Sequence, residues 1–316
     1  MQPPQACSSV PGMRRILVAM TCCLATNLVG GCHSEAPTVC PGSETTEPLV
    51  CERPVSVMKP PSYREDQRYP LLIALHGYAS TVEGFDRLLG LRQAAAQRDF
   101  LFAAPEGTLD ESNLRFWNAT DGCCNLFGAT VDDSAYLAAI LRDLKRRFPV
   151  DPKRIYVVGH SNGGFMAYRF ACEHAEDLAA VVSIAGATWN DDSKCRPVSP
   201  VSVLQVHGDQ DGIIRYEGGR FAAQLELYPA ARETLTKWSK YSGCTGGLSR
   251  LPETFDFDSN VDGDESQVEQ AAACPQSALE LWALRGGEHF PAFTATFVER
   301  LFGFLQAHPK SSAPAP

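Results

Sequence analysis

The chain has 316 residues, 44% hydrophobic and 21% charged, with a formal net charge of −9. That balance permits a full buried core, and the length suits one large α/β domain or two small ones. An acidic chain without a Lys/Arg cluster offers no face for phosphates, which excludes nucleic acid as a partner.

Taken from the start, Arg14 and Arg15 precede an apolar run from Ile16 to Val29, then Gly30, Gly31 and Cys32. A basic start, a short apolar stretch and small residues describe a secretory signal over residues 1–31. The run is short and interrupted by Thr21, Thr26 and Asn27, which argues against a spanning helix. Val29-Gly30-Gly31-Cys32 resembles the processing box of a bacterial lipoprotein, which implies lipid on Cys32 after cleavage. Membrane contact would then run only through that lipid, with the protein extracellular or in the cell envelope. Residues 32–49 are rich in Pro, Thr, Glu and Ser and read as a flexible tether.

Twelve cysteines support export independently. Cys7, Cys22 and Cys23 fall in the leader and Cys32 at its end. Cys40, Cys51, Cys123, Cys124, Cys172, Cys195, Cys244 and Cys274 remain, an even set that reads as disulfides. Absence of C-x-x-C spacing disfavours zinc. The preferred local pairs are Cys40–Cys51 and Cys244–Cys274. Adjacent Cys123 and Cys124 are expected not to bond each other, one of them reaching Cys172 or Cys195.

From residue 50 to 308 apolar runs alternate with helical patterns. Leu71–Leu75, Phe100–Ala104, Ile155–Val158, Ala180–Ile184, Val201–Val206 and Leu279–Leu284 read as strands buried on both faces. Tyr136, Leu137, Ile140, Leu141, Leu144 and Phe148 form one apolar stripe, opened by Asp132 and Asp133 and ended by Pro149. Phe293, Phe297, Leu301, Phe302 and Leu305 mark a last amphipathic helix, and Trp238 belongs to another helix face. This alternation predicts a single α/β domain, a mostly parallel sheet covered by helices on both faces. Residues 309–316 read as a frayed tail.

Gly159-His160-Ser161-Asn162-Gly163 follows a predicted strand and precedes a predicted helix, Phe165 to His174. That is the context of the G-x-S-x-G nucleophile elbow and of the α/β-hydrolase fold. A serine hydroxyl needs a base to become a nucleophile, and the fold supplies an acid and a histidine later in the chain. Asp211 follows the fifth predicted strand and His289 the last. Ser161, Asp211 and His289 are therefore the expected catalytic residues, with Asp209 the alternative acid. His207 breaks the chain order and reads as structural, as does His160. An oxyanion needs two backbone N–H donors. Asn162, after the nucleophile, and Tyr78, in Leu75-His76-Gly77-Tyr78, are the expected pair.

The stretches LLIALHGYAS, APEGT, FWNATDGCCN, VDDSAYLAAIL, VDPKRIYVVGHSNGGFMAYRFACE, VVSIAGA, VLQVHGDQD and GGEHF resemble the polyhydroxybutyrate depolymerase/feruloyl esterase family of exported esterases. They span roughly Pro70 to Phe290. The resemblance implies the same serine, aspartate, histidine and oxyanion loop, and a small-molecule or oligomeric ester substrate. Many polymer depolymerases of this kind carry extra linker and binding domains for which this chain has no room, so soluble esters or oligomers are expected. Trp117 and Trp189 are candidate pocket walls for an aryl ester, or else packing residues. A peptidase or lipase on the same fold, or a non-catalytic surface lipoprotein, are the alternatives.

Asp258 to Glu269 matches the calcium-loop pattern D-x-[DN]-x-[DN]-G-x5-E. Glu265 stands where that loop usually has an apolar residue, and Pro252 and Cys274 leave little room for flanking helices. A solvated acidic loop is expected, with no metal and no cofactor.

Overall fold

A computed structural model of the chain describes residues 44–311. The leader, Cys32, Cys40 and residues 312–316 lie outside the described residues.

In chain order the elements begin α1 (Pro48–Glu52), β1 (Val57–Met58), β2 (Tyr69–Leu75), α2 (Val82–Leu89), α3 (Leu91–Ala96) and β3 (Leu101–Ala103). A small hairpin, β4 (Thr108–Leu109) and β5 (Arg115–Phe116), precedes α4 (Asp133–Arg147), β6 (Val150–His160) and α5 (Asn162–Glu173). Then come β7 (Ala180–Ile184), β8 (Ser202–Gly208), α6 (Ala231–Tyr241), β9 (Leu248–Phe255), β10 (Ser266–Ala271), β11 (Leu279–Leu284) and α7 (Ala295–Ala307). Among the described residues the main sheet has nine strands in the order β1-β3-β2-β6-β7-β8-β11-β10-β9. The run from β3 to β11 is parallel. β1 at one edge and β10 and β9 at the other are antiparallel.

Why the central strands are continuously apolar follows from their neighbours. Leu71, Ile73 and Leu75 of β2 pack with Tyr136 and Ile140 of α4 and Phe165 of α5. Leu72 and Ala74 point the other way, into a second core with Phe85 of α2, Leu91 of α3 and Phe297 and Leu301 of α7. Successive side chains of a strand face opposite sides, so a strand between two helix layers is apolar on both, apart from hydrogen-bonded exceptions such as Gln205 and His207. Burying each large side chain contributes about 1.5–3 kcal/mol.

Helix boundaries follow the capping residues. Asp132 accepts from the Ala135 N–H at 3.1 Å to open α4, and Thr294 accepts from the Phe297 N–H at 3.2 Å to open α7. Asp133 does not cap. It is fully buried, 2.8 Å from the Arg53 guanidinium, and accepts from the Asn118 N–H at 2.7 Å.

Both domain ends depart from expectation. The tether was expected to reach residue 49, yet Thr45 is buried, and Glu44 and Glu47 pair with Arg147 and Arg142 of α4. The tail was expected to fray from 309, yet the Lys310 ammonium donates to the Ala175 and Leu178 carbonyls at 2.8 and 3.1 Å. Paired carboxylates and a satisfied ammonium hold residues 44–49 and 309–311 where composition alone suggested freedom.

The cysteine expectations divide in the same way. Cys244 and Cys274 are bonded as expected, and Cys51 is disulfide-bonded. Cys172 pairs with Cys195, their Cα atoms 5.2 Å apart, within the ordinary disulfide span. Each thereby removes the other as a partner for the adjacent cysteines, and Cys123 and Cys124 bond each other, contrary to expectation, across a cis peptide.

Candidate active site

Ser161 occupies the junction between β6 and α5 with φ 54° and ψ −121°. A non-glycine residue is costly in that region, so the surroundings must hold it there. Its N–H donates to the Ile184 carbonyl of neighbouring β7 at 2.7 Å. Its carbonyl accepts from the Gly164 and Phe165 N–H groups at 2.8 and 3.0 Å, starting α5. Gly163 lies so near β2 that a Cβ there would stand 2.1 Å from the Leu75 carbonyl oxygen. The sharp strand-to-helix turn therefore needs that glycine, as the motif implies.

Asp211 and His289 come from the loops after β8 and β11, adjacent parallel strands. His289 Nδ1–H donates to Asp211 Oδ2 at 2.7 Å, and both residues are buried. This bond assigns the proton to Nδ1 and leaves Nε2 as a base. The other carboxylate oxygen, Oδ1, accepts the Ile213 and Ile214 N–H groups, each at 2.8 Å. Burial raises the Asp211 pKa, but hydrogen bonds from His207 and His289 outweigh it and hold the carboxyl well below the usual carboxylate range. Asp209, the alternative acid, instead accepts from the Gly286 N–H at 2.7 Å and is exposed.

His207 takes a supporting position. Its Nε2–H donates to the Ile214 carbonyl at 2.7 Å and lies 3.4 Å from Asp211 Oδ2. His160 Nε2–H donates to the His289 backbone carbonyl at 2.9 Å. Full burial pushes the His160 pKa down to about 3, with repulsion from His289 adding to it.

The loop after β2 lies against Ser161. A Cβ on Gly77 would stand 3.3 Å from the Ser161 Cβ. His76 is a strut for that loop: its Nδ1–H donates to the Gly77 carbonyl at 2.7 Å and its Nε2 accepts from the Gly107 N–H at 2.9 Å. Among the described residues the Tyr78 and Asn162 backbone N–H groups meet no protein acceptor. The Asn162 amide is locked to Trp117, accepting from its N–H at 2.6 Å and donating to its carbonyl at 2.9 Å.

A cavity of about 600 Å³ is lined by Ser161, His289, Tyr78, Phe85, Leu88 and Phe290, among others. The structure thus brings Ser161, His289 and Tyr78 to one cavity, with Asp211 and Asn162 directly behind. The two tryptophans, read from sequence as pocket walls or else as packing residues, do not line this cavity. Trp117 is fully buried, its indole N–H donating to the His76 carbonyl at 3.0 Å. Trp189 lines a separate depression with Asp191 and Lys194. Trp117 is instead a strut between the β2 loop and α5. The aromatic walls are Phe85, Phe221 and Phe290, and Cys124 of the adjacent-cysteine pair joins them. Phe221 and Phe290 stand in loops and gave no periodic signal, although Phe290 follows His289 directly, while Phe85 lies within α2, the helix after the β2 loop.

The calcium-loop pattern is not assembled. Glu269 lies in β10 paired with Arg232 of α6, and Asp258 accepts from the Asn260 and Ala292 N–H groups at 3.0 and 2.8 Å. Glu265 turns inward onto the Phe257 and Asp258 N–H groups.

Residues 46–220 match the Esterase family. NocK of Nocardia uniformis subsp. tsuyamanensis is 32% identical over 149 residues, covering 47% of this chain and 42% of that one. Feruloyl esterase B of Piromyces equi is 28% identical over 200 residues, 61% of this chain and 36% of that one. The chain thus spans less than half the length of these two relatives. Among solved structures, the acetyl xylan esterase from Aspergillus awamori superposes with a TM-score of 0.54 at 15% identity, over 80% of this chain and 93% of that one. That likeness is one of fold.

Proposed function

The chain belongs to the Esterase family, and on that premise we propose that it is an exported serine carboxylic-ester hydrolase with Ser161, His289 and Asp211 as its triad. One observation carries the reading: the 2.7 Å Asp211–His289 bond stands beside a cavity that both His289 and the elbow serine line.

His289 Nε2 takes the Ser161 proton as Oγ attacks the ester carbonyl carbon and the carbonyl π pair moves onto oxygen. The Asn162 and Tyr78 N–H groups receive that oxyanion. Asp211, kept ionised, stabilises the imidazolium and fixes its tautomer. The imidazolium then returns the proton to the leaving alkoxide as the C–O bond breaks, leaving an acyl-serine. Water repeats the sequence and releases the acid.

The walls Phe85, Leu88, Phe221 and Phe290 suit an apolar or aryl acyl or alcohol group. Feruloyl- and acetyl-type esters and hydroxyalkanoate oligomers fit that description, and a relative named feruloyl esterase B supports the first. Disulfides among the described residues support an oxidising compartment. Lipid on Cys32 would account for anchoring.

Ser161→Ala is expected to lower turnover of a simple 4-nitrophenyl ester by about four to six orders of magnitude. A fluorophosphonate should label the wild type once, at Ser161, and fail after His289→Ala. Rates on methyl ferulate, acetylated xylan and hydroxybutyrate oligomers rank the substrates. Undiminished hydrolysis by Ser161→Ala overturns the assignment. Cys32→Ser is expected to move the protein from the membrane fraction to the soluble one; no change removes the anchor.

A further inference from the structure

Arg87 is the one Lys, Arg, Asp or Glu side chain lining the Ser161 cavity among the described residues. It lies on α2 between the apolar wall residues Phe85 and Leu88. Its guanidinium folds back over another lining residue, reaching 3.9 Å from where a Cβ on Gly84 would stand. Among the described residues it makes no ion pair and no hydrogen bond. The carboxylates nearest in sequence are turned elsewhere. Glu83, one turn back, lines a separate depression with Arg92. Asp86 accepts from the Arg92 N–H at 2.8 Å. The other titratable groups lining the cavity do not oppose a cation there: Tyr78 keeps its proton and donates it to Asp110 at 2.7 Å, His160 is held neutral by burial, and His289 gives its Nδ1–H to Asp211.

We infer that Arg87 is a specificity-determining residue that receives a carboxylate on the substrate, so that the enzyme favours esters carrying a free acid group away from the scissile bond. This deepens the ester-hydrolase reading and rests on it. The chemical class is an apolar ester with one terminal carboxylate: a monoester of a dicarboxylic acid, or a short hydroxyacid oligomer with a free acid end. An unpaired guanidinium offers five donors in a planar fork that matches a carboxylate bidentately. Arg87 is itself exposed, so such a contact is partly screened by solvent.

The test compares matched pairs on one preparation, so that partial misfolding cancels in the ratio. 4-Nitrophenyl hydrogen adipate is set against its methyl ester, and a hydroxybutyrate dimer acid against its methyl ester. The wild type should prefer the anion in at least one pair by about five- to tenfold in kcat/KM, the range of a charge-assisted bond discounted for exposure. The preference should shrink in high salt. Arg87→Gln should abolish it, Arg87→Glu should reverse it, and Arg87→Lys should keep part of it. Equal rates on acid and methyl ester in both pairs, or a preference unmoved by Arg87→Gln, overturn the Arg87 assignment while leaving the hydrolase reading intact. Failure to hydrolyse any of the four in a Ser161-dependent way removes both.

Discussion

His160 stands one residue before the nucleophile and donates its Nε2–H to the His289 carbonyl at 2.9 Å. Its ring is stacked near Phe85 at 6.3 Å and tilted against Phe290 at 5.3 Å. The folded ring stays neutral down to about 3, whereas an unfolded one protonates near the ordinary value of about 6.5. The depressed folded pKa means stability that is whole above about 6.5 and is lost as pH falls towards 3. His160→Gln is therefore expected to lower Tm at neutral pH and to flatten its decline between about pH 6.5 and 4. Parallel Tm-versus-pH curves for the two proteins would count against this. Asp211 behaves with the same sign but at lower pH, since its carboxyl stays ionised well below the usual range. Loss of activity in mild acid is thus not its protonation. Asp211→Asn should cut kcat by about four orders of magnitude at pH 7, through the wrong imidazole tautomer. A change under tenfold, measured on a 4-nitrophenyl ester, would show that the acid lies elsewhere.

At the scale of elements, the elbow joins β6 to α5 only because β2 can approach. Gly163→Ala places a methyl group 2.1 Å from the Leu75 carbonyl oxygen, a backbone atom in the middle of the sheet. The change should destabilise by about 3 kcal/mol or more, at or beyond the upper end for overpacking, because no side chain can swing aside. Urea unfolding measures it; a loss under about 1 kcal/mol would mean the strand shifts freely. The same scale explains what could be read beforehand. β2, β6, β7, β8 and β11 announce themselves because two helix layers leave their central stretches mostly apolar, as in Ile155–Val158 and Ala180–Val182. β9 and β10 do not, since their exposed or hydrogen-bonded positions carry Arg250, Glu253, Gln267 and Gln270, and β9 even contains Pro252. The proposed Ser161, Asp211 and His289 could be named beforehand because each follows an apolar run within a few residues. The cavity walls could not: Phe85, Phe221 and Phe290 reach it from three separate segments, and Trp117 stayed open between pocket wall and packing because an aromatic beside such a loop can face the core as readily as a ligand.

At the scale of the whole molecule, the antiparallel extension is tied by Cys244–Cys274, which spans 30 residues between the end of α6 and the start of β11. Closing a loop of that length stabilises by about 3–4 kcal/mol in the chain-entropy view. Replacing both cysteines with serine should lower Tm by about 6–10 °C in a domain of this size, while 4-nitrophenyl ester turnover at 25 °C persists, because neither cysteine lines the cavity. An unchanged Tm would mean that β9 and β10 hold without the tie.

Lys310 anchors the last described turn to Ala175, Leu178 and Ser199, residues that lead into β7 and β8. Ser161, Asp211 and His289 follow the opposite, carboxyl ends of β6, β8 and β11. Ser311 therefore lies at the rim of the sheet opposite the one that carries Ser161, Asp211 and His289. Coupled to a bead through a tag placed there, the molecule would present the Ser161 cavity to the bulk solution, and on the proposed function immobilised preparations should keep the KM of the free protein.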